Sequence, residues 1–427
     1  VLRNTAMINL DIHPCFNAKV KGQFGRVHLP VAPKCNILCN YCNRKFDCVN
    51  ESRPGVTSAV LSPAQAIAYL ERVLEAEPRI TVAGIAGPGD PFANPIETLG
   101  TLRLIRQRFP ELLLCLATNG LGLAPYLDDL AELQVSHVTV TVNAVDPEIG
   151  AKIYSWVRDG KVIYRGRQAA ELLLARQLEA IRGLKARGLV VKINTIVIPG
   201  INDHHVEAVA KKMQELGVDL LNCMPVYPNA DTPFGEIPEP TPGEMTAIQT
   251  AAGEFLPQMR HCTRCRADAV GLLDDDRTEE LRGCLSACAQ LLPSLDESRP
   301  YVAVASREGV LVNLHLGEAD SFQIWGPEGQ GFRLLEERPA PLPGSGGQRW
   351  WAMAEILKDC RAVLVSALGE TPEAVLTEAG VVPLEMSGFI EAGLSRIYSG
   401  EPLTSLKGRK GGLTRACSGQ GLGKGCM

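Results

Sequence analysis

From about residue 26 to residue 226, short runs of apolar and β-branched residues alternate with longer stretches of mixed polarity. The runs are Arg26–Val31, Ile80–Ile85, Leu112–Ala117, His137–Val142, Val190–Val197 and Leu220–Met224, and each is expected as a strand. The stretches between them, Pro63–Glu75, Ile96–Arg108, Pro125–Leu133, Gln168–Arg187 and His204–Leu216, are expected as helices. Gln168–Arg187, for example, repeats apolar residues at helical spacing. A strand–helix unit repeated about six times predicts a parallel sheet. Successive right-handed crossovers curl such a sheet into a full or partial barrel. The expected class is α/β, with a partial (β/α)6 barrel whose chemistry sits on loops at the C-terminal ends of its strands.

Beyond the barrel, the pattern weakens and then restarts. Pro225 to Pro242 is proline-rich and aperiodic, hence a loop, and a helix Glu244–Glu254 follows. A cysteine cluster and a second helical stretch near Glu279–Leu291 come next, and Leu292–Pro300 reads as a linker. Strands are then expected at Tyr301–Ala305, Gly309–Asn313, Ser321–Trp325 and Ala362–Ser366, with helices at Trp351–Leu357 and Thr371–Ala379. This is a smaller C-terminal α/β domain. Pro402 to Met427 holds five Lys/Arg, seven Gly and no acidic residue, the composition of a flexible tail. The expected division is 1–295, 296–400 and 401–427.

Composition narrows the class. The 427 residues are 45% hydrophobic, enough for two packed domains. The net charge of −5, from 43 basic and 48 acidic residues, gives no hint of a nucleic-acid partner. No run approaches the roughly 20 apolar residues that cross a bilayer. Val1–Leu10 lacks the charged-then-apolar order of a signal peptide. The expectation is a soluble, cytoplasmic protein. Fourteen cysteines are many for such a chain, and they cluster, five between Cys15 and Cys48 and four between Cys262 and Cys288. In a reducing compartment, clustered cysteines point to metal or redox chemistry rather than to a secreted disulfide scaffold.

The most informative cluster is Cys35-Asn36-Ile37-Leu38-Cys39-Asn40-Tyr41-Cys42, a Cx3Cx2C spacing with an aromatic before the third cysteine. It directly follows the first expected strand. Three thiolates on one tight loop hold three irons of a 4Fe-4S cluster and leave the fourth open to a small molecule. A structural zinc site would want four tetrahedral ligands instead, usually from paired CxxC-like units. The motif resembles the signature of the radical S-adenosylmethionine (SAM) superfamily. That resemblance implies SAM chelated at the open iron and cleaved by one electron to a 5′-deoxyadenosyl radical.

Other residues take places the superfamily uses. Gly84-Ile85-Ala86-Gly87-Pro88-Gly89-Asp90-Pro91 follows the second strand, where the superfamily has a glycine-rich loop near the SAM amino group. There Gly87 and Gly89 would allow close backbone approach, and Asp90 can accept from an ammonium. The wording departs from the usual Gly-Gly-Glu, and an ordinary strand–helix turn is the competing reading. Thr118 and Asn119 end the third strand and Asn143 ends the fourth, each placed to touch SAM; a turn-forming Asn is the plain alternative.

Further motifs set the chain apart from a minimal radical SAM enzyme. They are Cys15 in His13-Pro14-Cys15-Phe16, His28, Cys48, Glu51-Ser52-Arg53-Pro54-Gly55, Cys115, and Cys262 with Cys265 in His261-Cys262-Thr263-Arg264-Cys265-Arg266-Ala267-Asp268. This combination resembles the NifB family from His13 to the end of the small domain. The resemblance implies an enzyme of nitrogen fixation that fuses two 4Fe-4S units held as substrates. It inserts a carbide derived from a SAM methyl group, adds a sulfur, and yields the eight-iron precursor of the nitrogenase FeMo cofactor. It further implies that His28, Cys48 and Cys115 hold one substrate unit, and that Cys15, Cys262 and Cys265 hold the other. Cys115 would also serve in catalysis. Glu51 would serve in proton transfer and Arg53 would steady SAM or sulfide charge. The implied partners are iron–sulfur donor proteins, a cofactor carrier or scaffold, and a reductant such as ferredoxin or flavodoxin.

Each assignment has a plain rival. A lone His on a strand is more often packed or hydrogen-bonded, yet a neutral imidazole is an easier ligand to release than a thiolate. A redox CxxC would normally open a helix. Cys115 in a strand reads equally as a core cysteine, and Glu51 with Arg53 as a solvated pair. Cys223 and Cys360 are expected as buried thiols, Cys284 and Cys288 as one packed helix face with metal binding as the rival, and Cys417 and Cys426 as tail residues that either bind iron transiently or do nothing. Residues 301–400 resemble NifX-like domains that bind cofactor precursors, with His315 as a possible contact or a turn residue. Two other functions compete: a radical SAM enzyme whose extra clusters relay electrons to an organic substrate, and an iron–sulfur scaffold without catalysis.

Overall fold

The computed structural model describes residues 10–45, 47, 57, 59–262, 265–291, 295–329, 331–342, 347–401, 403 and 406. Cys48, Glu51, Arg53, Cys417 and Cys426 lie outside them. The chain forms two compact units, residues 1–289 and 290–427.

The strands of the first unit are β1 (Gly25–His28), β2 (Ile37–Cys39), β3 (Ile80–Ile85), β4 (Leu113–Thr118), β5 (Val135–Thr141), β6 (Tyr154–Asp159), β7 (Val162–Tyr164), β8 (Val190–Val197), β9 (Leu220–Pro225) and β10 (Val270–Gly271). Seven make one curled half-barrel sheet in the order β10-β1-β3-β4-β5-β8-β9. All neighbours run parallel except β10, which pairs antiparallel with β1. The six strands expected from the hydrophobic runs are the six parallel ones. β5 is buried along its entire length, as a strand covered on both faces must be.

Helices α1 (Pro63–Ala76), α2 (Pro95–Arg108), α3 (Leu127–Glu132), α4 (Pro147–Ile153), α5 (Gly166–Ala186), α6 (Val206–Glu215), α7 (Pro242–Ala252) and α8 (Thr278–Cys288) accompany the sheet. α1 illustrates why they form. Ser62 and Gln65 make a reciprocal capping box, and Pro63 opens the first turn, where its missing N–H is no loss. Ala66, Tyr69, Leu70 and Val73 then fall on one buried stripe. Each of the larger three contributes roughly 1.5–3 kcal/mol on burial.

The sequence pattern did not signal the hairpin β6–β7, which pairs through β6 with β2. This pairing positions the cysteine motif. Leu38 sits opposite Trp156, the Asn40 N–H donates to the Ile153 carbonyl at 2.8 Å, and the Arg158 N–H donates to the Asn36 carbonyl at 2.8 Å. β7 is mostly exposed, so no buried alternation marks it in the sequence.

The second unit holds β11 (Tyr301–Val304), β12 (Leu311–Val312), β13 (Ser321–Glu328), β14 (Gly331–Pro339), β15 (Cys360–Val365), β16 (Val382–Glu385) and β17 (Gly388–Phe389). Its helices are α9 (Gly347–Ile356), α10 (Glu370–Glu378) and α11 (Ile390–Ser399). The main sheet runs β14-β13-β11-β15-β16, and β12 pairs with β17. β14 is absent from the expected elements because it is largely exposed and charged; pairing with β13 makes it a strand. α11 was also unforeseen, and no side chain caps its start.

Candidate functional site

The three motif cysteines are free thiols, with Cys39 buried and Cys35 and Cys42 half-buried. The Cys42 N–H donates to the Cys39 carbonyl at 3.0 Å, which closes the loop tightly. Burial, then the nearby Asp90 carboxylate, pushes the Cys35 thiol up to about 12. Burial also raises Cys42. Metal binding at such thiols must release protons. The donor set fits a 4Fe-4S cluster. Among the described residues no three His, Cys, Asp or Glu side chains converge on one metal ion, and a cluster needs no such convergence, because each thiolate binds a different iron.

Asn119 touches this loop. Its Nδ2 donates to Asn36 Oδ1 at 2.7 Å and lies 3.8 Å from Cys35 Sγ, while its Oδ1 accepts from the Leu121 N–H at 2.8 Å. Asp90 fixes Asn119 from behind. Its carboxylate accepts from the Asn119 N–H at 2.6 Å, the Phe92 N–H at 2.9 Å and the Thr118 hydroxyl at 2.9 and 3.1 Å. Burial raises the Asp90 carboxyl, and these donors pull it back. These donors hold the Asp90 carboxylate in place against the end of β4. Asn143 likewise works inside the fold, donating to the Tyr41 hydroxyl at 2.8 Å and accepting from the Ile196 N–H at 2.9 Å. Both side chains are buried, so the aromatic before Cys42 is locked to the end of β5.

Gly87 and Gly89 also serve the packing of the fold itself. A Cβ on Gly89 would stand 2.0 Å from the Lys34 carbonyl oxygen. The Gly89 N–H donates to the Ala32 carbonyl at 2.6 Å and the Asp90 N–H to the Lys34 carbonyl at 2.7 Å. The glycine loop thus lies directly against the segment entering Cys35. Gly87 has φ +143°, which a side chain would strain.

A second centre lies within the half-barrel. A cavity of about 50 Å³ is lined by Cys15, His28, Cys115, Cys262 and Cys265, residues far apart in the chain. His28 Nδ1 is 2.9 Å from the Arg266 carbonyl. A carbonyl only accepts, so Nδ1 carries the proton and the Nε2 lone pair is left for a ligand. Burial, then the Arg26 charge, holds this imidazole down to about 4. Burial and the neighbouring Cys265 push the Cys15 thiol up to about 12.

Sequence reasoning missed the polar residues around this cavity. Arg26 is buried on β1; its Nε and Nη2 donate to Cys265 Sγ at 3.3 and 2.9 Å, and its Nη1 donates to the carbonyls of Gly271 and Leu272 at 2.6 and 3.0 Å. Lys192 is buried on β8, its ammonium 5.4 Å from the Phe16 ring centre. Buried His13 accepts from the Cys15 N–H at Nδ1, 3.2 Å, and packs 4.4 Å from the His137 ring. Arg26 and Lys192 did carry a signal: each is the one Lys or Arg of a short, largely buried strand. Gln177 on α5 gave none, yet it donates to the carbonyls of Asn119 and Thr141 at 2.9 and 2.8 Å.

The remaining candidates lie elsewhere. Cys223 and Cys360 are buried, and burial pushes each thiol up to about 12. Cys288 is wholly buried on α8 and Cys284 packs against the same core. His315 accepts from the Gly317 N–H at 3.0 Å at the start of a short 3-10 turn.

A family model described as the radical SAM superfamily matches residues 29–213, and one described as dinitrogenase iron-molybdenum cofactor matches residues 299–400. The FeMo cofactor biosynthesis protein NifB of Chlorobaculum tepidum is 53% identical, over 98% of this chain and 99% of its own length. The chain belongs to the NifB family. NifB of Klebsiella pneumoniae is 43% identical, over 87% of this chain and 86% of its own, and NifB of Azotobacter vinelandii is 38% identical, over 87% and 84%. Among solved structures, the FeFe-hydrogenase maturase HydG of Carboxydothermus hydrogenoformans gives a TM-score of 0.40 at 15% identity, over 55% of this chain and 52% of that one. No helix among the described residues is long and apolar enough to cross a membrane.

Proposed function

We propose that this NifB-family chain is a radical SAM enzyme of FeMo cofactor biosynthesis that joins two 4Fe-4S units held as substrates. Into them it builds a carbon from a SAM methyl group and a further sulfur, giving an eight-iron precursor. The observation that carries this reading is the cavity where His28 and four cysteines from distant segments face one space beside the three-cysteine loop's own barrel. Plain electron relay would not need a ligand as releasable as imidazole.

The three-cysteine centre, when loaded with iron and SAM, supplies reductive cleavage of the sulfonium bond. In this reading Cys35, Cys39 and Cys42 hold that centre, and Asn119 and Asn36 orient Cys35. Gly87, Gly89, Asp90, Thr118, Asn119 and Asn143 line the SAM site in this reading; Asp90, Thr118, Gly87 and Gly89 also set the loop, and Asn143 also fixes Tyr41. His28, Cys115 and Cys48 hold one substrate unit, and Cys15, Cys262 and Cys265 hold the other. Cys115 also takes part in catalysis, Glu51 moves protons and Arg53 steadies anionic charge. The division of labour follows the chain: residues 1–295 catalyse, 296–400 hold or pass on product, and 401–427 form the tail. Iron–sulfur donors, a cofactor carrier or scaffold and a ferredoxin or flavodoxin complete the proposed setting, in the cytoplasm.

The test is an anaerobic assay of loaded protein with SAM and reductant, quantifying 5′-deoxyadenosine and S-adenosylhomocysteine together. Both products are expected, with Cys115→Ala losing the homocysteine product first. 5′-Deoxyadenosine alone would point to a radical SAM enzyme with relay clusters. Neither product would point to a scaffold.

A further inference from the structure

His28 stands on β1 and donates its Nδ1–H to the Arg266 carbonyl at 2.9 Å. That oxygen has two lone pairs, and it also accepts the Ala269 N–H at 3.1 Å. Residues 266–269 are thus a hydrogen-bonded turn. The turn is tied to β1 along its length. The His28 N–H donates to the Ala269 carbonyl at 2.8 Å, and Val27 and Arg26 pair with Val270 and Gly271 of β10. Across the turn, Arg266 Nε and Nη2 donate to the two Asp268 carboxylate oxygens, each at 3.0 Å. The pair is withdrawn from water, its side chains 15% and 1% exposed. A bidentate guanidinium–carboxylate pair fixes angle as well as distance, so it holds the peptide that carries the Arg266 carbonyl. On the neighbouring strand, Gly84 pairs with His28, and a Cβ there would stand 3.1 Å from His28 Cδ2 and 3.6 Å from Nε2. Glycine keeps the ligand edge of the ring clear.

The residue before Arg266 is Cys265, whose sulfur accepts from Arg26 Nε and Nη2 at 3.3 and 2.9 Å. Arg26 and His28 are two apart on β1, hence on one face. Two adjacent residues, 265 and 266, therefore serve both proposed units. One supplies a cysteine ligand of the first, and the other orients the histidine ligand of the second. A unit bound at Cys265 restrains the peptide that aims His28. We propose that the Arg266–Asp268 ion pair is the positioning device for His28 and couples the loading of the two substrate units through Cys265. By linkage the coupling is reciprocal. Arg266 and Asp268 are positioning residues, distinct from the ligands. The inference rests on the proposed assignment of Cys265 and His28 to two iron–sulfur substrates.

Arg266→Gln with Asp268→Asn replaces the ion pair by neutral amides of similar shape. Arg266→Lys keeps both charges, so no buried carboxylate is stranded, but gives up the bidentate contact. Full-length protein is loaded anaerobically with increasing amounts of 4Fe-4S units and desalted. Native mass spectrometry counts units per chain, and pulsed electron paramagnetic resonance of the reduced protein reads nitrogen hyperfine coupling from a histidine ligand. Wild type is expected to show that coupling and to fill its two substrate sites cooperatively, so that chains with one substrate unit stay scarce at partial loading. The double variant should lose the coupling and hold the His28 unit roughly 10–100-fold more weakly, the range seen when outer-shell partners of a metal site are removed. Its chains should stop at one substrate unit, with iron at the three-cysteine loop unchanged. Arg266→Lys should show the same changes in smaller size. Wild-type coupling, retention and cooperativity in either variant would overturn the proposal. So would independent filling in wild type, or a variant that loses iron from every site alike, which marks a merely structural role. His28→Ala is the control: if it keeps the nitrogen coupling, or if wild type never shows it, the assignment of His28 is what fails.

Discussion

Replacing Asp90 by Ala should loosen the whole rim around Cys35. The carboxylate is the shared acceptor for three buried donors, the Phe92 N–H, the Asn119 N–H and the Thr118 hydroxyl. Each stranded donor costs roughly 1–3 kcal/mol. Part of the sum is offset, because burial already disfavours the Asp90 charge. A net loss of about 3–5 kcal/mol remains. At roughly 2–4 °C per kcal/mol for a domain of this size, the first unit should melt about 10 °C lower. Asp90→Asn, which keeps one acceptor oxygen, should fall between. Anaerobic thermal melts near neutral pH by circular dichroism measure this, read on the transition of the first unit. Iron retained at the three-cysteine loop is measured alongside and should drop, since Asn119 loses its tether. Melting within about 2 °C of wild type would refute Asp90's role as the post for this rim.

Three further outcomes follow from the same geometry. Gly89→Ala must push the loop away from Lys34, because its Cβ would lie 2.0 Å from the carbonyl oxygen; SAM cleavage should fall by about 10²-fold, the scale of an ångström-sized misplacement, and unchanged 5′-deoxyadenosine formation would contradict it. Cys42→Ser should remove one thiolate ligand and with it stable iron at the loop, visible as lost 4Fe-4S absorbance while the fold persists. His137 is held down to about 4, from 6.5, by burial and then the Lys192 charge. Its neutral form therefore stabilises the fold above pH 6.5 by up to about 3 kcal/mol, and this is lost as pH falls toward 4. Unloaded His137→Gln should show a flatter stability profile between those limits.

The cysteine motif and the strand–helix repeat were readable because each is local. Three thiols within eight residues announce a cluster loop wherever they fold. Buried parallel strands such as β5 have to be apolar throughout, so they stand out as runs. Glycine at position 89 could be read as serving close approach, but its close contact with Lys34 spans 55 residues of chain and is visible only in the fold. β14 could not be read at all, since an exposed edge strand has no buried face to imprint on its sequence.

By itself, then, the sequence determined the class of fold, the three-cysteine loop, and the set of sulfur and nitrogen groups available as ligands. These depend on spacing along the chain and on which side chains avoid water. The tertiary structure alone decided which groups share a space. It brought Cys15, His28, Cys115, Cys262 and Cys265 to one cavity. It fixed the His28 tautomer through the Arg266 carbonyl, 238 residues away in the chain. It also placed Arg26 and Lys192 inside rather than on the surface. The physical reason is that burial, tautomer and counter-charge are properties of neighbours, and in a curled sheet the neighbours that matter come from opposite ends of the strand order.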